Sequence, residues 1–204
     1  AKVTFTGSTA VGKLLMRQCA GTVKRLSLEL GGNAPAIVFA DADLAMAVQA
    51  VMASKFRNAG QTCVCVNRIL VEESIAAEFS ALLQKAIRQL LTGPGVTPSV
   101  KIGPLINAAA VAKVSQLVND AVAAGASLSY QAELALELGY FYPPTLLENV
   151  TSAMRISQQE IFGPVATIQL FSAAEEALQL ANDSQSGLAA YLFTKDTQRI
   201  WHFS

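Results

Sequence analysis

Two short segments contain residue types that could together perform covalent catalysis. Glu29 begins the segment Glu29-Leu30-Gly31-Gly32-Asn33, and Cys63 ends the segment Gly60-Gln61-Thr62-Cys63. A thiol attacks a carbonyl carbon as the thiolate, and an unperturbed cysteine has a pKa of about 8.5, so Cys63 needs an activating polar environment. Glu29 could then activate the water that hydrolyses a thioester. Each segment alone is also compatible with a glycine-rich turn and an ordinary cysteine.

A third segment, residues 7–13, has the glycine spacing of a phosphate-binding loop. A strand before it and a helix after it would present backbone N–H groups to a phosphate. Leu14 stands where a nucleotide hydrolase needs Ser or Thr to hold magnesium, so hydrolysis is the weaker interpretation. A tight turn with a helix cap at Ser8 or Thr9 is the structural alternative.

Composition excludes several functional classes. The 204 residues, 52% hydrophobic and 15% charged, predict one or two packed domains. Lys plus Arg equals Asp plus Glu at 15 each, which argues against nucleic-acid binding. Polar residues interrupt every apolar run before about 18 residues, and no export leader is visible, so we expect neither a membrane span nor secretion.

The cysteine and histidine content argues against a disulfide framework and a metal site. Three cysteines, an odd number, do not make a disulfide framework, which suits a reducing compartment such as the cytoplasm. No Cys/His/Asp cluster has zinc spacing. His202 is the single histidine, so we do not expect a Cys-His catalytic pair.

Short β-rich runs alternate with helical patterns, which predicts an α/β fold. The predicted strands are residues 3–6, 35–39, 68–71, 165–171 and 188–194. Apolar residues at helical spacing predict one helix from Ile75 to Leu90 behind a Ser74 cap, and a second over residues 111–122 that ends at Gly125. Residues 172–175 predict a capping box, with Ser172 and Glu175 as partners.

Five landmarks occur in the order found in the aldehyde dehydrogenase superfamily, which this chain resembles from end to end. They are residues 5–12, 29–33, 58–63, 103–106 and 160–164. The resemblance implies an aldehyde-dehydrogenase-like catalytic domain, with an open, mostly parallel sheet flanked by helices. It also implies that residues 1–30 are the last strand-helix unit of a dinucleotide-binding domain, and that residues 31–204 are a catalytic domain that continues beyond Ser204.

The resemblance also implies roles for individual residues. Cys63 is then the nucleophile and Glu29 the general base, while Glu160 anchors the nicotinamide ribose and Phe162 contacts the nicotinamide ring. The remaining cofactor contacts are Gly7, Ser8, Gly12 and Leu30. Taken from the residues alone, Glu160 could cap an exposed turn and Phe162 could belong to the core. The implied cofactor is NAD or NADP, the substrate a small aldehyde, and the parent enzyme a homo-oligomer of the cytoplasm or mitochondrial matrix.

Within the superfamily, residues 54–58 and 63–68 most resemble the succinate-semialdehyde dehydrogenases. This implies that Arg57 receives the substrate carboxylate, although a surface ion pair is an alternative role. Cys65 is a candidate redox partner of Cys63, because an extended backbone would place both thiols on the same side. Its alternative is a small buried residue, and Cys19 is expected in a core.

Three classes of function follow. The first is oxidation of an aldehyde through a thioester on Cys63. The second is a cofactor-independent thiol hydrolase, which needs only Cys63 and Glu29. The third is a catalytically inactive fragment, because the resemblance places one oxyanion-hole donor upstream of Ala1.

Overall fold

Two sheets organise the chain in the computed structural model, which describes residues 1–134 and 139–204. The smaller sheet pairs β1 (Lys2–Thr6) in parallel with β2 (Arg25–Glu29), and α1 (Thr9–Ala20) connects them. The predicted first strand and the helix after it are confirmed. The second strand is an addition to the predicted strand-helix unit, and it ends at Glu29.

The larger sheet has six strands in the order β5-β6-β7-β4-β3-β8. Among the described strands of this sheet, only β5 and β6 pair antiparallel, which confirms a mostly parallel α/β fold. Its strands are β3 (Ala34–Val38), β4 (Val66–Glu72), β5 (Ser127–Gln131), β6 (Thr145–Glu148), β7 (Val165–Phe171) and β8 (Tyr191–Phe193). Its helices are α2 (Leu44–Lys55), α3 (Ala76–Ile87), α4 (Ala108–Ala123), α5 (Arg155–Gln158), α6 (Ala174–Asn182) and α7 (Thr197–Phe203).

Both faces of the larger sheet are buried, as expected for parallel strands covered by helices. Successive side chains of a strand point to opposite faces. Ala36 and Val38 accordingly belong to the main core, which includes residues of α2, α3 and α4. Ile37 and Phe39 belong to a second core with Ala177 of α6. The central strands are therefore fixed from two sides, which gives the loops at their ends a rigid base.

Several predicted boundaries agree with the structure and others do not. Residues 165–171 form β7 as predicted, and α4 ends just before Gly125, whose φ is +104°. The predicted strand 188–194 is reduced to β8, because only Tyr191–Phe193 pair with β3. The Ser74 cap is wrong. A short 3-10 turn over Glu73–Ile75 precedes α3, and the Ser74 hydroxyl donates to Glu72 instead.

The predicted capping box is shifted by one residue. Helix α6 has Ala173 at its N-cap, so its third helical position is Glu176 rather than Glu175. The Ser172 backbone N–H and hydroxyl both donate to Glu176 Oε2 at 2.8 Å. The Ser172–Glu175 pairing is therefore wrong, because the helix begins one residue later than the sequence pattern suggests.

Candidate active site

The predicted catalytic residues meet in a cleft between the two sheets. Glu29 ends β2, whereas Cys63 and Glu160 lie in the loops before β4 and β7. The cleft therefore lies between the carboxyl end of the small sheet and the amino end of the large one. It has a volume of about 580 Å³ and is lined by Thr6, Gly7, Ser8, Glu29, Leu30, Gly31, Gln61, Thr62, Cys63, Ala110, Lys113, Glu160, Ile161 and Phe162.

The loop that carries Cys63 has a strained backbone. Asn58 and Ala59 have φ values of +50° and +54°, in the left-handed region that non-glycine residues avoid at a cost of about 1–2 kcal/mol each. Gly60 follows with a φ of +76°, which a glycine adopts without this cost. A side chain at Gly60 is also excluded, since an added Cβ would lie 2.2 Å from the backbone oxygen of Gly163. Phe162 has a φ of +58° on the opposite wall. Strained backbone of this kind concentrates at functional sites.

Gln61 holds this loop in place. Its Nε2 donates to the backbone oxygens of Asn58 and Pro104, at 3.2 and 3.3 Å. Its Oε1 accepts the backbone N–H of Ile106 at 2.9 Å. Residues 103–106, one of the five landmarks, thus hold the cysteine loop in position through hydrogen bonds to Gln61. Their sequence alone does not reveal this role.

The glutamate segment packs directly on the cysteine loop. A Cβ added at Gly32 would lie 2.0 Å from the backbone oxygen of Cys63. Only glycine permits this approach, because carbon and oxygen atoms that are not bonded stay about 3.3 Å apart. Gly32 therefore allows the segment after the Glu29 strand and the Cys63 turn to pack together.

Glu160 is partly buried and lines the cleft. Its Oε1 accepts the backbone N–H of Gly32 at 3.1 Å, and Lys113 Nζ donates to its backbone oxygen at 2.7 Å. Burial raises the pKa of Glu160, while the Gly32 N–H, Lys113 and Lys55 act in the opposite direction. The carboxylate thus faces the cleft, where Oε2 has no hydrogen bond from the described residues. The exposed-turn interpretation of Glu160 is wrong.

Lys113 is a cleft residue that the sequence reasoning missed. It lies in α4, where the sequence pattern predicts only which apolar residues are buried and gives no role to Lys113 beside Val114. Burial lowers the pKa of Lys113, and the nearby Glu160 opposes this shift. No periodicity signal could have identified it, since its position depends on how α4 packs against the Glu160 loop.

The first glycine loop contributes backbone and a helix N-terminus. Ser8 is the N-cap of α1, and its Oγ accepts the Val11 N–H at 3.4 Å. The cap role and the position in the cleft are thus compatible. Gly12 does not line the cleft. Its Cα faces Leu30, whose Cδ2 would be 2.7 Å from an added Cβ, so Gly12 acts by letting Leu30 lie against α1.

Cys63 and Cys65 have different environments. They lie in a turn, in which the Cys65 N–H donates to Thr62 O at 3.2 Å. The prediction of an extended backbone here, on which the hypothesis of a Cys63–Cys65 disulfide depended, is therefore wrong. Cys63 is partly exposed in the cleft, whereas Cys65 is 3% exposed. Cys65 Sγ donates to Gly60 O at 3.3 Å and accepts from Lys55 Nζ at 3.9 Å. All three cysteines are free thiols, and Cys19 is buried as predicted.

Three further predictions concern the surroundings of the cleft. Phe162 is partly exposed at the cleft and is not a core residue. Arg57 is exposed, does not line the cleft and forms no ion pair with the described residues. His202 is exposed in α7 and is not among the cleft residues.

Comparison with known proteins identifies the family. Residues 1–204 match the family model described as the aldehyde dehydrogenase family. The chain belongs to the aldehyde dehydrogenase family. In this aldehyde dehydrogenase chain, the five landmarks of the sequence converge as described above, with Cys63, Glu29 and Glu160 lining one cleft.

Its relatives include succinate-semialdehyde dehydrogenases. The mitochondrial enzyme of Oryza sativa subsp. japonica is 51% identical over 100% of this chain and 38% of its own length. The succinate-semialdehyde dehydrogenase [NADP(+)] of Saccharomyces cerevisiae is 46% identical over 100% of this chain and 41% of its own. The crystal structure of succinate-semialdehyde dehydrogenase from Burkholderia pseudomallei superposes with a TM-score of 0.96 at 50% identity, covering 99% of this chain and 42% of that one.

The chain thus spans about two fifths of the length of the relatives it matches. Within the described residues, no helix is both long enough and apolar enough to cross a membrane.

Proposed function

We propose that this chain carries the nucleophile and the general base of an NAD- or NADP-dependent aldehyde dehydrogenase that oxidises succinate semialdehyde. The observation that carries the proposal is the shared cleft of Cys63, Glu29 and Glu160. A thiol, a free carboxylate and a second carboxylate suited to a ribose are the groups that this reaction needs. The names of the relatives support the substrate.

Cys63 starts the reaction. Its thiolate attacks the aldehyde carbon, which forms a C–S bond and places the carbonyl electrons on the oxygen as an oxyanion. The Cys63 backbone N–H is the donor for this oxyanion. A nicotinamide held by Glu160 and Phe162 would supply the acceptor for the hydride of the substrate carbon, and loss of that hydride would oxidise the carbon to a thioester.

Glu29 completes the reaction. It lies at the end of β2, where it is exposed to solvent and can reach water. Its carboxylate takes a proton from a water molecule whose oxygen attacks the thioester carbon. The C–S bond then breaks, and Cys63 leaves as a thiolate while the product leaves as a carboxylate.

The cleft fits a dinucleotide. Its volume of about 580 Å³ lies within the range of about 300–1,000 Å³ that is usual for ligand sites. Glu160 Oε2 is free to accept a ribose hydroxyl, and the N-terminus of α1 at Ser8 presents backbone N–H groups to a phosphate. Phe162 lies beside Glu160 and offers an aromatic edge to the nicotinamide.

Arg57 is proposed to bind the distal carboxylate of the substrate. It is exposed beside the cysteine loop and has no carboxylate partner among the described residues, so its guanidinium is available for a bidentate contact. Replacing Arg57 with Met should raise the KM for succinate semialdehyde about tenfold or more and leave the KM for an uncharged aldehyde of the same length within twofold.

The organisation of the parent enzyme is also a proposal. The separate two-stranded sheet supports assignment of residues 1–30 to the dinucleotide-binding domain and of residues 31–204 to the catalytic domain. A homo-oligomer is proposed from the family resemblance. A reducing compartment, the cytoplasm or the mitochondrial matrix, is proposed because the nucleophile must remain a free thiol.

The test is reduction of NAD⁺ or NADP⁺ by the full-length protein with succinate semialdehyde. Cys63→Ala should abolish it. Glu29→Gln should allow one stoichiometric burst of reduced cofactor and then stop, because acylation proceeds while hydrolysis of the thioester fails. Full steady-state turnover in Glu29→Gln would contradict the role of Glu29.

A cofactor-independent thiol hydrolase is the second candidate. It is favoured by the position of Cys63 and Glu29, which alone suffice to form and hydrolyse an acyl-enzyme. Both candidates predict hydrolysis of an activated acetate ester that depends on Cys63. They differ at Glu160, because Glu160→Gln should impair the dehydrogenase reaction far more than ester hydrolysis. Absence of both activities would instead indicate a catalytically inactive protein.

A further inference from the structure

Asn67 is a buried side chain that the proposed reaction does not use. It is the second residue of β4 and is 2% exposed. Its Nδ2 donates to Asn33 Oδ1 at 2.6 Å and to Gln159 O at 2.9 Å, and its Oδ1 accepts the Ile161 N–H at 3.0 Å. Both N–H donors of the carboxamide are therefore used. A single amide thus joins the glutamate segment to the loop before β7.

Two of these bonds hold the residues on either side of Glu160. Gln159 and Ile161 are bound by the same carboxamide, so Asn67 fixes the backbone immediately before and after the carboxylate that faces the cleft. The base of this arrangement is rigid, because the Thr167 hydroxyl of β7 donates to Asn67 O at 3.0 Å. Asn67 is therefore anchored in the sheet while its side chain reaches into the loop.

The other partner, Asn33, depends less on Asn67. Arg68 Nε and Nη2 donate to Asn33 O at 3.2 and 3.1 Å, and Asn33 Nδ2 donates to Ser157 O at 2.9 Å. Loss of the Asn67 amide would leave these bonds in place. The Glu160 loop would therefore be released more than the glutamate segment that packs on Cys63.

We propose that Asn67 is a positioning residue for the cofactor side of the cleft, which acts through Gln159 and Ile161 to direct the Glu160 carboxylate toward the nicotinamide ribose. This inference rests on the proposed function. It assigns to Asn67 an effect on dinucleotide affinity that exceeds its effect on the chemistry of Cys63, although Asn67 itself lines neither side of the cleft.

The test compares Asn67→Ala with Asn67→Ser in the full-length protein. Dissociation constants for NAD⁺ and NADP⁺ are measured by calorimetry, and cofactor-free hydrolysis of an activated acetate ester reports on Cys63. Asn67→Ala should raise the dissociation constant of the preferred dinucleotide about tenfold, which is about 1.4 kcal/mol. Ester hydrolysis should fall less than threefold. Asn67→Ser supplies one hydroxyl in place of the carboxamide, so it should give a smaller change in the same direction. It decides the question if the alanine variant does not fold.

Thr167→Val is the matched control. It removes a buried hydrogen bond to the same residue but leaves the Asn67 carboxamide intact, so it should lower stability without changing the dissociation constant. Hydrogen exchange gives a readout without cofactor, since the Ile161 amide should exchange faster in the Asn67 variants than in Thr167→Val.

Two results would overturn the inference alone. One is an unchanged dissociation constant in folded Asn67 variants. The other is that dinucleotide affinity and ester hydrolysis fall by the same factor, and fall as much in Thr167→Val as in the Asn67 variants. This result would indicate a purely structural role. A wild-type protein that binds neither dinucleotide would contradict the proposed function and this inference with it.

Discussion

Replacement of Gly32 with Ala should lower the reactivity of Cys63 in a protein that still folds. The added methyl carbon would lie 2.0 Å from the Cys63 backbone oxygen. This is about 1.3 Å closer than the roughly 3.3 Å at which carbon and oxygen normally make contact. Either the Cys63 turn or the Gly32 segment must move by about this amount, because the Cys63 oxygen belongs to the backbone and the added carbon is bonded directly to the backbone of residue 32.

A displacement of about 1 Å at a reacting group is enough to cost about 10²-fold in rate. We therefore expect Gly32→Ala to reduce Cys63-dependent ester hydrolysis at least about 100-fold. The assay is the cofactor-free hydrolysis of an activated acetate ester, with Cys63→Ala as the blank and circular dichroism as the check on folding. A rate within threefold of wild type in a folded Gly32→Ala protein would refute the proposed contact between the two segments.

Two other glycines provide matched controls. Gly21 has a φ of −64° and nothing within 4 Å of an added Cβ, so Gly21→Ala should leave the ester reaction within twofold. At Gly31 the added Cβ would lie 2.9 Å from Glu160 Oε2, the end of a side chain that can rotate. Gly31→Ala should therefore weaken dinucleotide binding, measured by calorimetry, more than it slows the ester reaction.

Three further predictions concern buried ionisable groups. Because burial raises the pKa of Glu160 above 4.5, its protonated form favours the folded state, and this stability is lost as pH rises through the raised pKa. Glu160→Gln, which does not titrate, should therefore become more stable relative to wild type in urea unfolding as the pH rises above 4.5. Burial lowers the pKa of Lys55 below 10.5, so wild-type stability should rise with pH up to about 10.5, and Lys55→Met should remove that part of the slope in thermal unfolding. Cys65→Ala should lower the free energy of unfolding by about 1–3 kcal/mol by leaving the Lys55 amine unpaired, yet retain the ester hydrolysis that Cys63→Ala loses.

The sequence indicates the proposed catalytic residues more readily than the residues that position them. Cys63, Glu29 and Glu160 were identifiable because their motifs occur in a fixed order that resembles one family. Asn67 and Lys113 were not, because nothing in a strand or a helical stripe shows which side chain reaches a loop distant in sequence. Such contacts are properties of the tertiary packing rather than of local pattern.

The errors in secondary structure have local causes. Residues 25–29 alternate in polarity as a strand does, but they follow α1 after only four residues. The sequence analysis therefore predicts one strand and one helix for residues 1–30 and no second strand. The Ser74 cap and the Ser172 capping box both failed because a helix began after the expected residue, at Ala76 and Ala174. Helix boundaries depend on where the backbone enters the helix, and the type of one polar residue does not fix that point.

The turn at residues 62–65 explains why Cys63, and not Cys65, is suited to act as the nucleophile. Two cysteines separated by one residue would be equivalent on a strand, where both point to one face. In the turn, Cys65 is buried and its thiol donates a hydrogen bond to Gly60 O, so neither substrate nor water reaches the sulfur. Cys63 opens into the cleft that Glu29 and Glu160 also line. Cys65 has a different task in the same turn, because its thiol donates to Gly60 O and so holds the backbone that precedes Cys63.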